Sequence, residues 1–221
     1  MTDIITLSDP RVAAVPEDEC GEPLVDLRGT GRLWLDHRQA DDDGSYAHLR
    51  SGALRRLVEA QRLLPADVRF LVVEGYRPPD LQQRYFEQYA AALRRAHPDA
   101  PPERIRELAS AYISPPEVAP HVSGGAVDLT LCDRHGRELP LGTEVNATPE
   151  ESEGACRTAA PGIGAEARAN RALMGRALTV AGFVNYPTEW WHWSHGDRYW
   201  ALLRQAPAAR YGPAACPRAP A

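Results

Sequence analysis

The chain has 221 residues, of which 43% are hydrophobic and 25% are charged, and its formal net charge is −5. A chain of this length buries a core without disulfides. Its acidic balance does not support binding to nucleic acids or anionic membranes, which requires a clustered basic surface. The sequence shows no apolar stretch long enough to span a membrane. Its N-terminus lacks the basic and apolar regions of a signal peptide. We therefore expect a cytoplasmic protein with no nucleic-acid or membrane partner.

Periodicity and turn residues divide the chain into short strands and amphipathic helices. Apolar residues at intervals of three and four indicate helices, whereas short β-branched runs between Gly and Pro indicate strands. In chain order these patterns predict a strand over residues 33–35, a helix over 46–64, a strand over 67–74, a helix from the Pro78-Pro79 pair to about 96, a helix from Pro101, a strand over 125–133, a helix over 165–182, strands over 183–186 and 190–193, and a helix over 199–204. The composition of residues 1–45 predicts loops with short strands, and that of residues 142–163 predicts a long polar loop.

The order of these elements predicts an α+β fold, in which a small and mostly antiparallel sheet is flanked by helices. Tyr112 and Val180 fall on the apolar faces of their helices, and Gly182 supplies a stop signal. Residues 1–205 are expected to form a single domain. Residues 206–221 are dense in Pro and Ala and are expected to form a loose C-terminal tail.

Two short segments far apart in sequence carry residues that a metal ion prefers. Val-Ser-Gly-Gly-Ala-Val separates His121 from Asp128, and its glycines allow a sharp bend before the strand that carries Asp128. Glu189 and His192 flank two tryptophans. A catalytic zinc has three protein ligands and an open position, and the candidate ligands are His121, Asp128 and His192. Glu189 is then left over as a base, which favours hydrolysis of an amide.

Three motifs together carry a resemblance to a known family. Ser-Gly-Gly-Ala-Val-Asp-Leu-Thr-Leu follows His121, Glu-Trp-Trp-His occupies residues 189–192, and Glu-Gly-Tyr-Arg-Pro occupies residues 74–78. In this order, over roughly residues 68–200, they closely resemble the zinc D-alanyl-D-alanine dipeptidases, which include the vancomycin-resistance dipeptidases. The resemblance implies the fold that zinc D,D-peptidases share with the hedgehog signalling domain.

The resemblance also implies a role for each matched residue. His121, Asp128 and His192 correspond to the ligands of one zinc ion. Glu189 corresponds to the catalytic base and acid, and Arg77 to the group that stabilises the developing oxyanion, with binding of a substrate carboxylate as its alternative role. A fixed guanidinium in a water-poor site suits the first role. The implied reaction is hydrolysis of D-alanyl-D-alanine or a related short D,D-peptide by a metal-activated water.

Two positions depart from the family pattern and bear on the choice of substrate. The family usually has Ser two residues before the first zinc His, where this chain has Ala119, so Ser123 is a candidate substitute. An Asp that helps to hold the substrate ammonium corresponds to Asn146, which hydrogen-bonds without adding charge. Tyr112 and Trp191 complete the predicted substrate-binding set. One of the two adjacent tryptophans should line the pocket, because neighbouring strand residues face opposite sides.

Other functions stay open at this point. They are a D,D-carboxypeptidase acting on longer peptidoglycan stem peptides, a hydrolase that trims a peptide during biosynthesis, and a non-catalytic binding module. The lack of a recognisable signal sequence argues against the first, and a pure binding module has no need of Glu189. The oligomeric state does not follow from the sequence.

The cysteines and one further histidine complete the expectations. None of the four cysteines has metal-type spacing, so we expect free thiols, with a Cys132–Cys156 bridge as the alternative. His195 lies close to the zinc motif in Trp-Ser-His-Gly-Asp and is expected to be an exposed turn residue.

Overall fold

A five-stranded sheet forms the centre of the fold. The computed structural model describes residues 4–31, 33–110 and 112–215. Its strands in chain order are β1 (Leu24–Asp26), β2 (Trp34–Leu35), β3 (His48–Arg50), β4 (Val68–Glu74), β5 (Ala126–Asp133), β6 (Val184–Asn185) and β7 (His192–Ser194). The central sheet has the order β2-β4-β5-β7-β6, in which β2 and β4 are parallel and the other pairs are antiparallel. Strands β1 and β3 form a separate antiparallel pair.

Helices pack around these sheets, which confirms the predicted α+β class. They are α1 (Pro10–Ala13), α2 (Ser51–Arg62), α3 (Pro79–Ala96), α4 (Pro102–Ser110), α5 (Ala165–Val180) and α6 (Arg198–Arg204). Helix α3 begins at the predicted proline pair, because the missing N–H of Pro79 falls where a helix leaves that donor unpaired in any case. The connection over residues 142–163 consists of turns, as predicted.

The main core lies between the central sheet and helices α2 and α5. Val72 of β4 and Leu129 of β5 are directly paired and fully buried. Leu57 of α2 and Leu178 of α5 belong to the same buried cluster. Burying each of these side chains contributes about 1.5–3 kcal/mol. The core therefore fixes the positions of β4 and β5, on which the polar residues described below depend.

Strand register brings three polar side chains to one end of the sheet. Glu74, the last residue of β4, pairs with Asp128 of β5, and Asp128 pairs with His192, the first residue of β7. Directly paired residues point to the same face of a sheet. Positions 74, 128 and 192 therefore meet although they are far apart in the sequence.

Two predicted helical features differ from the observed ones. The helix predicted over residues 46–64 begins only at Ser51, because the residues before it form a 3-10 turn (Ser45–Ala47) and strand β3, which pairs with β1. Val180 is 74% exposed instead of facing inward. Helix α5 ends at this residue, and the chain reverses at Gly182, whose φ of 92° lies in the left-handed region.

The start of the predicted tail packs against the body of the protein. Tyr211 is buried, and its hydroxyl donates to Glu22 at 2.9 Å. The backbone N–H of Ala214 donates to the carbonyl oxygen of Val122 at 2.8 Å. Residues 206–215 are thus held by the buried Tyr211 and do not form the loose tail that their Pro and Ala content predicts. Residues 216–221, including Cys216, lie outside the described part, and a domain boundary at residue 205 stays a prediction.

Three cysteines in the described part of the chain carry free thiols. Cys132 and Cys156 are buried and unbridged, and Cys20 is exposed. The structure thus follows the expectation of free thiols and not the alternative bridge. None of the helices that the structure describes combines the length and the hydropathy of a membrane span.

Candidate metal centre

A cavity of about 310 Å³ opens where the polar ends of β4, β5 and β7 meet. The motif residues that line it are Arg77, His121, Asp128, Glu189 and His192. Ligand sites typically have volumes of roughly 300–1,000 Å³, so this cavity suits a small molecule.

Three candidate ligand atoms converge in this cavity. Nε2 of His121 lies 3.1 Å from Nδ1 of His192. Oδ1 of Asp128 lies 2.9 Å from Nδ1 of His192 and 3.3 Å from Nε2 of His121. Zinc binds such atoms tetrahedrally at about 2.0–2.2 Å, which gives ligand–ligand distances of about 3.3–3.6 Å. The three donors therefore fit a single tetrahedral ion after a small outward shift.

The ring of His121 is oriented through its other nitrogen. Nδ1 donates to the carbonyl oxygen of Gly75 at 2.6 Å, which leaves the lone pair on Nε2. Gly75 follows β4, and a Cβ there would lie 2.3 Å from the carbonyl oxygen of His48. The glycine of the Glu-Gly-Tyr-Arg-Pro motif is therefore required sterically, and it brings the carbonyl to the histidine.

The charges of the three candidate ligands are coupled. Burial alone raises the pKa of the Asp128 carboxyl, but His121 and His192 outweigh this effect and hold that pKa far below its usual range. Burial lowers the pKa of His121, but the Asp128 carboxylate outweighs it, so that this pKa is raised. Ligands of a metal ion must be deprotonated, so an ion held by these three groups binds less tightly as the pH falls.

Glu189 lies beside His192 in the turn between β6 and β7 and faces the cavity. The side-chain amide of Asn185 donates to the carbonyl oxygens of Glu189 and His192, at 3.0 Å each, and so fixes the turn. Burial raises the pKa of Glu189 to about 7, while His192 and a hydrogen bond from Trp191 act to lower it. A carboxyl group with this pKa is suited both to accept and to return a proton near neutral pH.

Arg77 is held at the cavity wall by Glu74 and Gln82. Its Nε donates to Oε1 of Glu74 at 2.7 Å, its Nη2 donates to Oε2 of the same carboxylate, and its Nη1 donates to Oε1 of Gln82 at 2.8 Å. The guanidinium also lies over the ring of Tyr85, 5.0 Å from its centroid. Burial lowers the pKa of Arg77, but the Glu74 carboxylate outweighs it and raises that pKa. The group is thus a fixed and permanent positive charge.

Two of the predicted substrate-binding residues line the cavity. They are Tyr112 and Asn146, and the Tyr112 hydroxyl donates to the backbone carbonyl of Asn146 at 2.8 Å. Tyr112 lies in a turn beyond α4 (Pro102–Ser110) instead of on the face of that helix. Asn146 adopts a φ of 66°, which Asn tolerates better than most residues.

The other two predicted substrate-binding residues lie outside the cavity lining. The Ser123 hydroxyl donates to the carbonyl oxygen of Pro120 at 2.7 Å and accepts from the N–H of Gly125 at 3.0 Å, so it braces the turn after His121. Trp191 is 1% exposed and packs in the main core. Its side chain approaches the site through the hydrogen bond to Glu189.

The expectation of an exposed His195 is wrong. This residue is 2% exposed, and its ring packs edge-on against Phe183 and Trp200, at centroid distances of 6.0 and 4.7 Å. Its Nδ1 donates to the carbonyl oxygen of Gly182 at 3.1 Å. Burial lowers the pKa of His195 to about 4, so the ring is neutral at ordinary pH. Its small and polar sequence neighbours gave no sign of this aromatic cage.

Sequence reasoning missed several residues that hold or line the site. Glu74 belongs to the Glu-Gly-Tyr-Arg-Pro motif, but its place in the site follows from its pairing with Asp128, and the sequence does not reveal this strand register. Gln82 lies one turn into α3 with no motif around it. Asn185 is the last residue of β6, and its contacts with Glu189 and His192 involve backbone carbonyls that no motif marks. Leu7 lines the cavity from the far N-terminal end of the chain.

A zinc ion held by two imidazoles and one carboxylate keeps a coordination position free, which distinguishes catalytic from structural zinc sites. Here an acid–base group and a fixed cation face the same cavity. Fold and site therefore define the class as metal-dependent hydrolases.

Comparison with known proteins narrows this class. Residues 39–208 match the M15 peptidase family, described as D-ala-D-ala dipeptidase. A D-alanyl-D-alanine dipeptidase of Synechocystis sp. is 29% identical over 221 aligned residues, which cover 85% of this chain and 87% of the relative. A D-alanyl-D-alanine dipeptidase of Escherichia coli is 30% identical over 57% of this chain and 54% of its own length.

Comparison with solved structures found matches at low identity. The vancomycin-resistance D,D-pentapeptidase VanY in complex with Zn(II) is 16% identical, with a TM-score of 0.43, over 76% of this chain and 85% of that chain. The LD-carboxypeptidase LdcB is 15% identical, with a TM-score of 0.47, over 95% of this chain and 88% of that chain.

The family match spans well over half of the sequence, and the chain belongs to the D-ala-D-ala dipeptidase family of peptidases. It is thus a zinc metallopeptidase, and the expected cofactor agrees with the ligand set that the structure brings together.

Proposed function

We propose that this protein hydrolyses D-alanyl-D-alanine or a closely related short D,D-peptide with one zinc ion held by His121, Asp128 and His192. The observation that carries the proposal is the convergence of these donors in one cavity with Glu189 and Arg77. Family membership supports the substrate class, and the cavity volume of about 310 Å³ supports a short peptide.

Zinc, when bound, supplies Lewis-acid polarisation of the scissile carbonyl and lowers the pKa of water to about 7. His121 and His192 present neutral nitrogens to the ion, and Asp128 offsets part of its charge. The Gly75 carbonyl keeps the Nε2 lone pair of His121 directed into the site.

Glu189 is the proposed general base and acid. It takes a proton from the attacking water and returns it to the amine that leaves, and a pKa near neutrality suits both transfers. Trp191 and Asn185 position this carboxylate, through the side-chain hydrogen bond and through the braced turn. Groups in this role typically contribute about 10²- to 10⁴-fold to the rate.

Arg77 is the proposed stabiliser of the developing oxyanion. Its three hydrogen bonds to Glu74 and Gln82 fix the guanidinium before substrate binds, and a preorganised donor of this kind is worth about 10²- to 10³-fold in kcat. Binding the substrate carboxylate is the competing role. Replacing Arg77 by Ala separates the two roles, because loss of uniform binding raises KM alone, whereas loss of transition-state binding lowers kcat.

Tyr112 and Asn146 are assigned to the substrate ammonium. The Tyr112 proton is engaged by the backbone carbonyl of Asn146, so its oxygen offers lone pairs to a cation. Burial raises the pKa of Tyr112, which keeps the phenol protonated. The side-chain oxygen of Asn146 is a second acceptor. Ser123 is left out of this set because its hydroxyl is committed to the turn.

The cytoplasm is the proposed compartment, with no nucleic-acid or membrane partner. The free thiols of Cys132 and Cys156 support a reducing environment, and the net charge of −5 gives no basis for binding polyanions. Cell fractionation with an antibody to the native protein checks this assignment.

Metal content combined with hydrolysis tests the proposal. We expect the purified protein to bind one zinc per chain and to release D-alanine from D-alanyl-D-alanine, with the activity lost to a chelator and restored by zinc. His121→Ala should lose both the metal and the activity. The matched control is His135→Ala at an exposed histidine, which should keep both. Full zinc occupancy in His121→Ala would remove His121 from the ligand set.

A further inference from the structure

The N-terminal segment supplies part of the cavity wall. Leu7 lines the same cavity as the candidate ligands and Glu189. It lies before residues 39–208, the part that matches the family, so the match itself assigns it no role. An aliphatic side chain can neither coordinate a metal nor transfer a proton, so Leu7 affects a ligand only through its size and its lack of polarity.

Hydrogen bonds from two tyrosines anchor the segment. The N–H of Leu7 donates to the Tyr186 hydroxyl at 3.4 Å, and the Tyr199 hydroxyl donates to the carbonyl oxygen of Ile5 at 3.2 Å. The Tyr186 ring stands edge-on to His192, with a centroid distance of 6.0 Å. The anchor of the segment thus lies directly against a candidate metal ligand.

Packing makes this wall firm. Leu7 is 4% exposed and forms a buried cluster with Val12, Tyr186 and Tyr199. Ile5 packs on the edge of the same cluster but does not line the cavity. Moving Leu7 aside would expose this apolar cluster, so we expect it to stay in place when a ligand enters.

We propose that Leu7 determines substrate length, by closing the cavity to peptides longer than two residues. The inference rests on the function proposed above and specifies it. Each further residue adds a peptide group, and a buried amide that faces an aliphatic wall loses its hydrogen bonds to water without replacement. A dipeptide has no such group beyond its ammonium, which Tyr112 and Asn146 accept. The apolar wall therefore excludes longer chains by polarity as well as by volume.

The test compares D-Ala-D-Ala with Gly-D-Ala-D-Ala, which adds the smallest possible residue. The ratio of kcat/KM for the tripeptide to kcat/KM for the dipeptide is measured for the wild type, Leu7→Ala, Leu7→Val and Ile5→Ala. Ile5→Ala is the matched control, because it removes apolar volume from the same segment outside the cavity. Zinc content and thermal unfolding are recorded for every variant. Leu7→Val removes a single methylene, so the test can still be made with this variant if Leu7→Ala does not fold.

We expect the wild type to favour the dipeptide and Leu7→Ala to raise the ratio at least about tenfold, since one methylene in an apolar pocket is worth roughly 10- to 200-fold. Leu7→Val should shift it in the same direction, and Ile5→Ala should leave it unchanged. An unchanged ratio in both Leu7 variants, or an equal shift in Ile5→Ala, overturns the proposed role of Leu7. Dipeptide hydrolysis by the wild type would still support the proposed function. A wild type that cleaves both peptides equally well also overturns it. A zinc-loaded wild type that cleaves neither peptide overturns the proposed function, and the inference with it.

Discussion

Replacing Glu74 by Gln tests how Arg77 is held. The Glu74 and Arg77 side chains are 2% and 13% exposed, and the carboxylate accepts two of the guanidinium's hydrogen bonds. Gln has nearly the same shape but no charge, and its amide group presents donors where Arg77 also presents donors. The variant therefore leaves a mostly buried guanidinium without the Glu74 charge and with one of its two hydrogen bonds to residue 74 lost.

The size of the effect follows from this burial. Removing one partner of a buried ion pair typically costs about 3–5 kcal/mol. Because Arg77 borders the cavity and can regain some water there, we expect the lower end, about 3 kcal/mol of unfolding free energy. Because the guanidinium is then held less firmly before substrate binds, we expect kcat/KM to fall by about 10²-fold.

Urea unfolding and steady-state hydrolysis of D-Ala-D-Ala measure the two effects. Asp80→Asn is the matched control, because Asp80 pairs with Arg84 at 2.9 Å on the exposed face of α3. Such a pair is worth about 0.5 kcal/mol or less and lies away from the cavity lining, so this variant should behave as the wild type. A Glu74→Gln protein that matched the control in both assays would refute the reasoning.

Two further predictions concern buried groups away from the reaction. Burial lowers the pKa of His195 from 6.5 in the unfolded chain to about 4 in the folded protein, so between these pH values only the unfolded chain binds the proton. The free energy of unfolding is therefore unaffected by this group above pH 6.5 and decreases as the pH falls towards 4. At about 1.4 kcal/mol per pH unit the loss amounts to about 3 kcal/mol, and His195→Gln should show a correspondingly smaller fall in urea stability between pH 7 and pH 4. Arg171 donates to the carbonyl oxygens of Leu141, Ala155 and Arg157 at 2.7–2.8 Å. Arg171→Met should cost at least about 2 kcal/mol and speed proteolysis within residues 142–163; unchanged cleavage would contradict this bracing role.

Local patterns predicted most of the regular structure. Strand β4, helix α3 and strand β5 appear within about two residues of their expected bounds, since a β-branched run, a proline pair and a Gly-Gly turn are all local signals. The helical spacing predicts a helix from residue 46, whereas residues 48–50 form strand β3 by pairing with β1, which no local pattern reports. The burial of Tyr211 and His195 is also absent from the local patterns, since it depends on tertiary contacts with Glu22 and with Phe183 and Trp200.

In the candidate site, too, local motifs predict some residues, whereas others depend on the tertiary structure. The two metal-type segments predicted that His121, Asp128 and His192 would meet, and the register of β5 and β7 accounts for the meeting of the last two. The motif could not reveal Gln82, whose role depends on the path of α3. Leu7 lines the cavity from 185 residues before His192, and no spacing rule connects positions so distant.

The most direct test of the central claim is amino-acid release from D-Ala-D-Ala by the zinc-loaded protein, with L-Ala-L-Ala and Glu189→Gln run in parallel. We predict cleavage of the D,D-dipeptide alone, and a Glu189→Gln variant that keeps its zinc but is at least about 10²-fold slower. Failure of the zinc-loaded wild type to cleave D-Ala-D-Ala, or undiminished turnover by Glu189→Gln, would contradict the account.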